Sequence, residues 1–179
     1  MKRLLFLSSA FMVIAFASCS KSSSAPPPGQ ESDTFNISYP VFVGANSTTS
    51  TPGSISLSNI LSSANQDKIS FISVSTLSRA QSYISFTGIP AGATLSNISF
   101  ATDDKVINSG VLQNAYGNPL VISKDTTLTA DSYTTILGEI GDYLVSKKSI
   151  KLTATYTAGS TPITNGTIKL HLSTVFNWQ

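Results

Sequence analysis

The sequence predicts a mainly β protein: an antiparallel β-sandwich of roughly seven to eight strands with one or two short helices. Three observations carry that expectation. Apolar and polar residues alternate in short runs from residue 35 to the C-terminus, with Gly, Pro, Asn and Asp between the runs. The two clearest runs, SIKLTATYT and GTIKLHLSTVFN, put four apolar residues each on one face, with Lys151, Thr153 and Thr155, or Lys169, His171 and Ser173, on the other. Finally, only 11% of residues are charged. Ser and Thr supply the polarity instead, which suits strands with a hydroxyl-bearing solvent face.

The strand candidates in order are Phe35–Val43, Lys68–Thr76, Ser82–Ile89, Leu95–Ala101, Leu120–Ser123, Ser149–Thr157 and Gly166–Asn177. In the sixth, Ile150, Leu152, Ala154 and Tyr156 share a face. In the seventh, Ile168, Leu170, Leu172 and Phe176 do. One apolar and one polar face per strand describe an antiparallel sheet packed on a second layer. Turns are expected at ThrProGly 51–53, GlyIleProAlaGly 88–92, ThrAspAspLys 102–105 and GlyAsnPro 117–119.

Two segments carry helical spacing instead. In SLSNILSSANQ, the positions Leu57, Ile60, Leu61 and Ala64 align, and in DSYTTILGEIGDYLVSKK so do Tyr133, Ile136, Leu137, Ile140 and Leu144. Asp131 or Ser132 can cap the second helix, and Lys147 and Lys148 suit its C-terminal end. Gly138 and Gly141 weaken it by about 1 kcal/mol each relative to Ala. If this helix packs across a sheet, an α+β two-layer fold is the alternative. Each helix carries an Ile-Leu pair and precedes two strands, a pattern that hints at an internal repeat.

Ahead of the strands, the N-terminus has a different character. Lys2 and Arg3 precede an apolar stretch, Leu4–Ala17, which is short of the ~20 residues a membrane-spanning helix needs. Small residues Ala17 and Ser18 then lead to Cys19, the only cysteine, and to the run SKSSSAPPPGQESD. Basic, apolar and small regions in that order form an export signal.

The AlaSerCys ending resembles the lipobox of bacterial lipoproteins, and Phe16, three residues before the cysteine, makes it similar to the relaxed Bacteroidetes type. The resemblance implies cleavage before Cys19, lipidation of its thiol and anchoring in the outer membrane, since Ser follows the cysteine. Which face of that membrane the protein occupies stays open. The domain plan is therefore a signal at 1–18, the lipidated Cys19 with a Ser/Pro-rich tether at 19–33, and a sandwich domain at 34–179. More than one acyl chain would hold such a protein stably on a bilayer.

Once Lys2 and Arg3 leave with the signal, nine basic residues face nine acidic ones. That balance argues against nucleic acid, which needs a basic stripe, and against docking to anionic head groups by charge. With Cys19 lipidated, the mature chain has no thiol for a disulfide, a metal site or a nucleophile.

No catalytic motif stands out. His171 is the only histidine and falls on a strand's polar face, so a transition-metal site is not expected. Asp103 and Asp104, with Asn108 near, offer oxygen ligands for Ca²⁺ but lack the D-x-D-x-D-G spacing, and turn formation accounts for them. Glu139 and Asp142 read as the solvated face of the second helix. Tyr116, in a Gly/Pro loop, and Trp178, next to last, are the candidate ligand contacts, since rings stack on sugars. No cofactor is expected. The functional expectation is a non-catalytic binding module, held to the membrane by its lipid, with an envelope protein or a glycan as partner. The alternative is a secreted hydrolase using carboxylates such as Asp103 or Asp142, which must then share a cleft.

Overall fold

A computed structural model describes residues 26–129 and 131–179. The signal, Cys19 and the start of the tether lie outside the described residues.

Two antiparallel sheets face each other across one core, as the alternation predicts. The strands are β1 (Gly29–Val43), β2 (Thr48–Ser56), β3 (Ile72–Leu77), β4 (Tyr83–Thr87), β5 (Leu95–Thr102), β6 (Val106–Val111), β7 (Thr126–Leu128), β8 (Ser149–Ala158) and β9 (Ile163–Trp178). Helix α1 is Leu57–Ile60 and helix α2 is Asp131–Lys147. The first sheet runs β1-β9-β4-β7 and the second β2-β8-β5-β6. Because β9 has 16 residues, its second edge accommodates two strands in succession. On that edge, β4 covers the stretch from Thr167 to His171, and β3 covers Thr174 to Trp178.

Period-2 burial is strictest in β8 and β9, where Ile150, Leu152, Ala154 and Tyr156 face Ile168, Leu170, Leu172 and Phe176 across the core. Two core tyrosines brace the sheets reciprocally. From the first sheet, Tyr39 donates its hydroxyl to the Leu152 carbonyl of the second at 3.2 Å. From the second, Tyr156 donates to the Pro40 carbonyl of the first at 3.1 Å, with Thr51 Oγ1 2.7 Å away. A buried hydroxyl without a partner would be costly, so these bonds fix how the layers register.

The structure departs from the sequence reading at several points. The folded domain begins at Gly29 and not at residue 34, because Gly29–Asp33 pairs with Trp178–Thr174. That polar stretch lacks apolar alternation, but the long β9 edge supplies its backbone partners. The carboxylate of Glu31 ties it further, accepting the Ser62 N–H and the Asn65 amide, each at 2.9 Å. ThrProGly 51–53 is not a turn but the middle of β2. Pro52 is tolerated there because β2 is an edge strand paired only with β8. Gly53 leaves room for the Tyr39 ring, since a Cβ would come within 2.9 Å of it.

The first expected helix shrinks to four residues, and Ser63–Phe71 forms a 3₁₀ segment, so the strand read from Lys68 starts only at Ile72. Leu120–Ser123 makes an isolated bridge from Ile122 to Leu95 and no strand of its own. The two helix–strand–strand units are not equivalent: β3 and β4 both lie on β9, whereas β8 and β9 belong to different sheets.

Helix α2 follows its predicted face closely. Tyr133, Ile136, Leu137, Ile140 and Leu144 are all buried, and the helix lies chiefly against β3. It ends at Lys148, which adopts φ 64° and donates its N–H to the Leu144 carbonyl at 2.7 Å. Among the described residues, no helix is long and apolar enough to cross a membrane.

Candidate functional site

A groove of about 560 Å³ opens between α2 and β3. Its β3 side carries Ser75, Thr76 and Leu77, with Arg79 just beyond the strand. Its helical side carries Gly138, Glu139, Gly141 and Asp142. Thr174 of β9, only 2% exposed, forms the floor.

The two glycines that weaken α2 find their explanation here. A Cβ on Gly141 would lie 3.3 Å from Ser75 Oγ, and one on Gly138 would lie 4.0 Å from Leu77 Cδ2. Spaced by one helical turn, they turn bare backbone toward β3 and keep the groove open. Gly138→Ala is expected to stabilise the protein by about 1 kcal/mol through helix propensity, because its methyl meets only ordinary contact. For a chain of this size that raises the melting temperature by about 2–4 °C. Gly141→Ala gains less, since its methyl crowds Ser75. Thermal melts of the two variants check the ordering.

Charge in the groove is mixed. Asp142 accepts the Ser75 hydroxyl at 3.0 Å, and Glu139 pairs with Lys105 Nζ at 2.5 Å. Behind the floor stands Asp33, directly across from Thr174 in the β1–β9 register, while Leu77 pairs with Thr174 from the other side. Thr174 Oγ1 and Asp33 Oδ2 are both cut off from solvent without a hydrogen-bond partner in the protein.

Burial, and then the neighbouring Glu31 carboxylate, push the Asp33 carboxyl above its ordinary range. Folded Asp33 therefore keeps its proton to higher pH than the unfolded chain does. Stability falls as pH rises from about 4, the unfolded carboxyl's range, through the folded value. Asp33→Asn is accordingly expected to raise the melting temperature at neutral pH, and its advantage should shrink below pH ~4, where Asp33 is protonated in both states. Melts at two pH values read this directly.

A second, smaller groove of about 350 Å³ lies beside the β5–β6 turn and contains Asp103, Asp104, Tyr143 and Lys147. Asp104 accepts hydrogen bonds from the Tyr143 hydroxyl, from Lys147 Nζ at 3.2 Å and from Thr102 Oγ1 at 3.0 Å. These partners, the Tyr143 hydroxyl foremost, hold its carboxyl down at about 2. The turn is thus pinned to α2. Among the described residues no three His, Cys, Asp or Glu side chains gather to hold a metal ion.

The other sequence candidates separate cleanly. Tyr116 is 89% exposed at the tip of a loop whose backbone N–H groups, from Tyr116 and Asn118, donate to Asn114 Oδ1. Trp178 is buried, its indole over Gly29 and its Nε1 donating to the Pro27 carbonyl at 3.2 Å. As a ligand contact it is therefore corrected: it continues the apolar face of β9 and seals the sandwich end. His171 stacks on Tyr83 at 4.4 Å and meets Asn36 Oδ1 at 2.7 Å on the outer face. Burial, reinforced by Lys169, lowers its pKa. Asp103 and Asp142 line different grooves. Cys19 lies outside the described residues. The sequence reading missed Thr174, Arg79 and Ser75 as a group, and the only available signal was the GlyGluIleGly spacing in α2.

No family model and no curated protein match the chain. Among solved structures, a chain of desmodium yellow mottle tymovirus is similar at 11% identity and a TM-score of 0.39, covering 99% of this chain and 95% of that one. So loose a likeness carries nothing about function.

Proposed function

We propose that this protein is a non-catalytic binding module, anchored to the outer membrane through lipidated Cys19, that engages an envelope protein or a glycan in the α2–β3 groove. The observation that carries the binding site is the groove itself. Two glycines hold it open at a cost in helix propensity, and its floor is an unpartnered buried hydroxyl. Unsatisfied buried polar atoms are rare in folded proteins and often mark a functional site.

The anchor and the groove fit together spatially. Asp33, level with the groove floor, comes four residues after the start of β1. Ten residues separate Cys19 from Gly29, a reach of at most about 35 Å. A lipid on Cys19 would thus keep the groove near the bilayer surface. The hydrolase alternative loses its original acids to separate clefts. The acids that do share one, Glu139 and Asp142, are engaged by Lys105 and Ser75.

The test is retention of the detergent-extracted full chain on immobilised envelope proteins and, separately, envelope polysaccharides. Retention by either fraction that is lost in Gly138→Leu and in Arg79→Ala supports the reading. Retention by neither, or retention indifferent to both substitutions, overturns it. In parallel, Cys19→Ala should release the protein from the membrane fraction, and an unchanged distribution would remove the anchor.

A further inference from the structure

We infer that the Tyr116 loop is a second binding site, separate from the groove, and that it takes a neutral polysaccharide by stacking a sugar ring on Tyr116. This goes beyond the groove reading and stands or falls without it.

Its place in the fold supplies the first reason. β1 pairs Gly29 with Trp178 at one end of the sandwich and Val43 with Ile163 at the other. The 16 residues of β9 set those ends roughly 50 Å apart. Ile122 bridges to Leu95, and Leu95 pairs with Ala158 at the end of β8, so the segment 112–122 leaves the sandwich at the Val43 end. The groove lies in the Gly29 half, where Ser75 and Leu77 pair with Phe176 and Thr174. A ligand on the loop therefore leaves the groove free.

The loop's rigidity supplies the second. Asn114 Oδ1 accepts the N–H groups of Tyr116 and Asn118 at 2.9 and 3.2 Å. The Asn114 carbonyl accepts the Gly117 N–H at 3.0 Å, and its own N–H donates to the Asn118 carbonyl at 2.8 Å. At the base, buried Leu112 accepts the Leu120 N–H at 2.8 Å. None of these bonds uses the Tyr116 ring, which is 89% exposed. The backbone is thus fixed in one shape that holds a bare ring outward, and a platform ordered in advance lowers the entropy cost of binding.

Chemistry at this end selects the ligand. The four connections there, 44–47, 88–94, 112–122 and 159–162, contain no Asp, Glu, Lys, Arg or His. Lys124 and Asp125, which follow the loop, offset each other. A charged ligand meets no counter-charge on the loop. Gln113 and Asn118, both exposed beside the ring, carry amides that donate and accept, as sugar hydroxyls do. The ring offers an apolar face to the C–H side of a sugar. A protein partner needs an apolar interface core within about 800 Å² per side, which one ring among amides does not supply. An open tip without walls also admits a unit from the middle of a chain, hence a polysaccharide.

The experiment is an NMR titration of the full chain in detergent with maltotetraose, cellotetraose, mannotetraose and N-acetylchitotetraose, each into the millimolar range, and with tetragalacturonate as the acidic counterpart. At least one neutral oligomer is expected to shift the amides of Ala115, Gly117 and Asn118. Tyr116→Ala should weaken that oligomer about tenfold, and Tyr116→Phe, which keeps the stacking face, should not. Both variants should melt with the parent, since the ring lies outside the core. Gly138→Leu, which fills the groove, should leave the loop titration unchanged, so failure of the groove reading and failure of this site are read separately. No shift in the loop with any of the four, equal affinity in Tyr116→Ala, or tighter binding of tetragalacturonate overturns the site.

Discussion

Replacing Tyr39 with Ala is expected to cost about 3–5 kcal/mol, the range for truncating a large buried aromatic, and to lower the melting temperature by roughly 10 °C. Tyr39 is fully buried, and its ring lies 6.0 Å from that of Phe100. It also fills the space that Gly53 leaves in an edge strand. Truncation opens a cavity between the sheets and deletes the bond to the Leu152 carbonyl. Tyr39→Phe separates the two contributions, since it keeps the packing and loses only the hydroxyl, for about 1 kcal/mol. Chemical denaturation of the two variants measures both. A loss below 1 kcal/mol for Tyr39→Ala would mean that the sheets do not meet on this ring.

The second large effect is expected at Gly88, and a nearby glycine provides its control. Gly88 and Gly92 flank the turn after β4 with nearly the same positive φ, +70° and +78°. A side chain at either position pays the left-handed strain of about 1–2 kcal/mol. At Gly92 nothing lies within 4 Å of the added Cβ, so Gly92→Ala should show the strain alone. At Gly88 the Cβ would sit 2.3 Å from the Asn165 carbonyl oxygen and 3.1 Å from the Gly166 Cα, both backbone. That segment leads into the β9 stretch that β4 pairs with, so relief requires moving a strand. Gly88→Ala is therefore expected to cost about 2–5 kcal/mol, with overpacking added to the strain. Equal effects at the two glycines would show that the close approach to residue 165 is absent.

Much of the sandwich was legible because its central strands obey a period of two without interruption. In β8, and in β9 from Gly166 onward, every second residue is buried, and that regularity survives in the sequence as SIKLTATYT and GTIKLHLSTVF. Edge strands were harder to read. β2 contains ThrProGly, and its central Pro52 is permitted only because one side of the strand lacks a partner, a property of the sheet and not of the segment. The first five residues of β1 were invisible for a related reason: GlyGlnGluSerAsp pairs because β9 is long, and nothing in its own composition calls for a strand.

The groove was legible only as an anomaly. Gly138 and Gly141 contradict the helix around them, and local contradictions of this sort concentrate at functional sites. What they face could not be read, since Ser75 and Arg79 come from β3 and the residues just after it, Thr174 comes from β9, and these meet only through the register of β3 on β9. Thr174 in particular looked like one more inward strand position. Its significance lies in having Asp33 across the ladder and no partner for its hydroxyl. Tyr116 and Trp178 drew notice as aromatic rings, yet one stands fully out on a loop and the other closes the core.

The most direct measurement is hydrogen exchange of the full chain with and without envelope extract. The binding account predicts slowed exchange in Ser75–Leu77 of β3 and in Gly138–Asp142 of α2. Slowing confined to the Tyr116 loop or to the outer face of β9 around His171, with β3 and α2 unchanged, would contradict it.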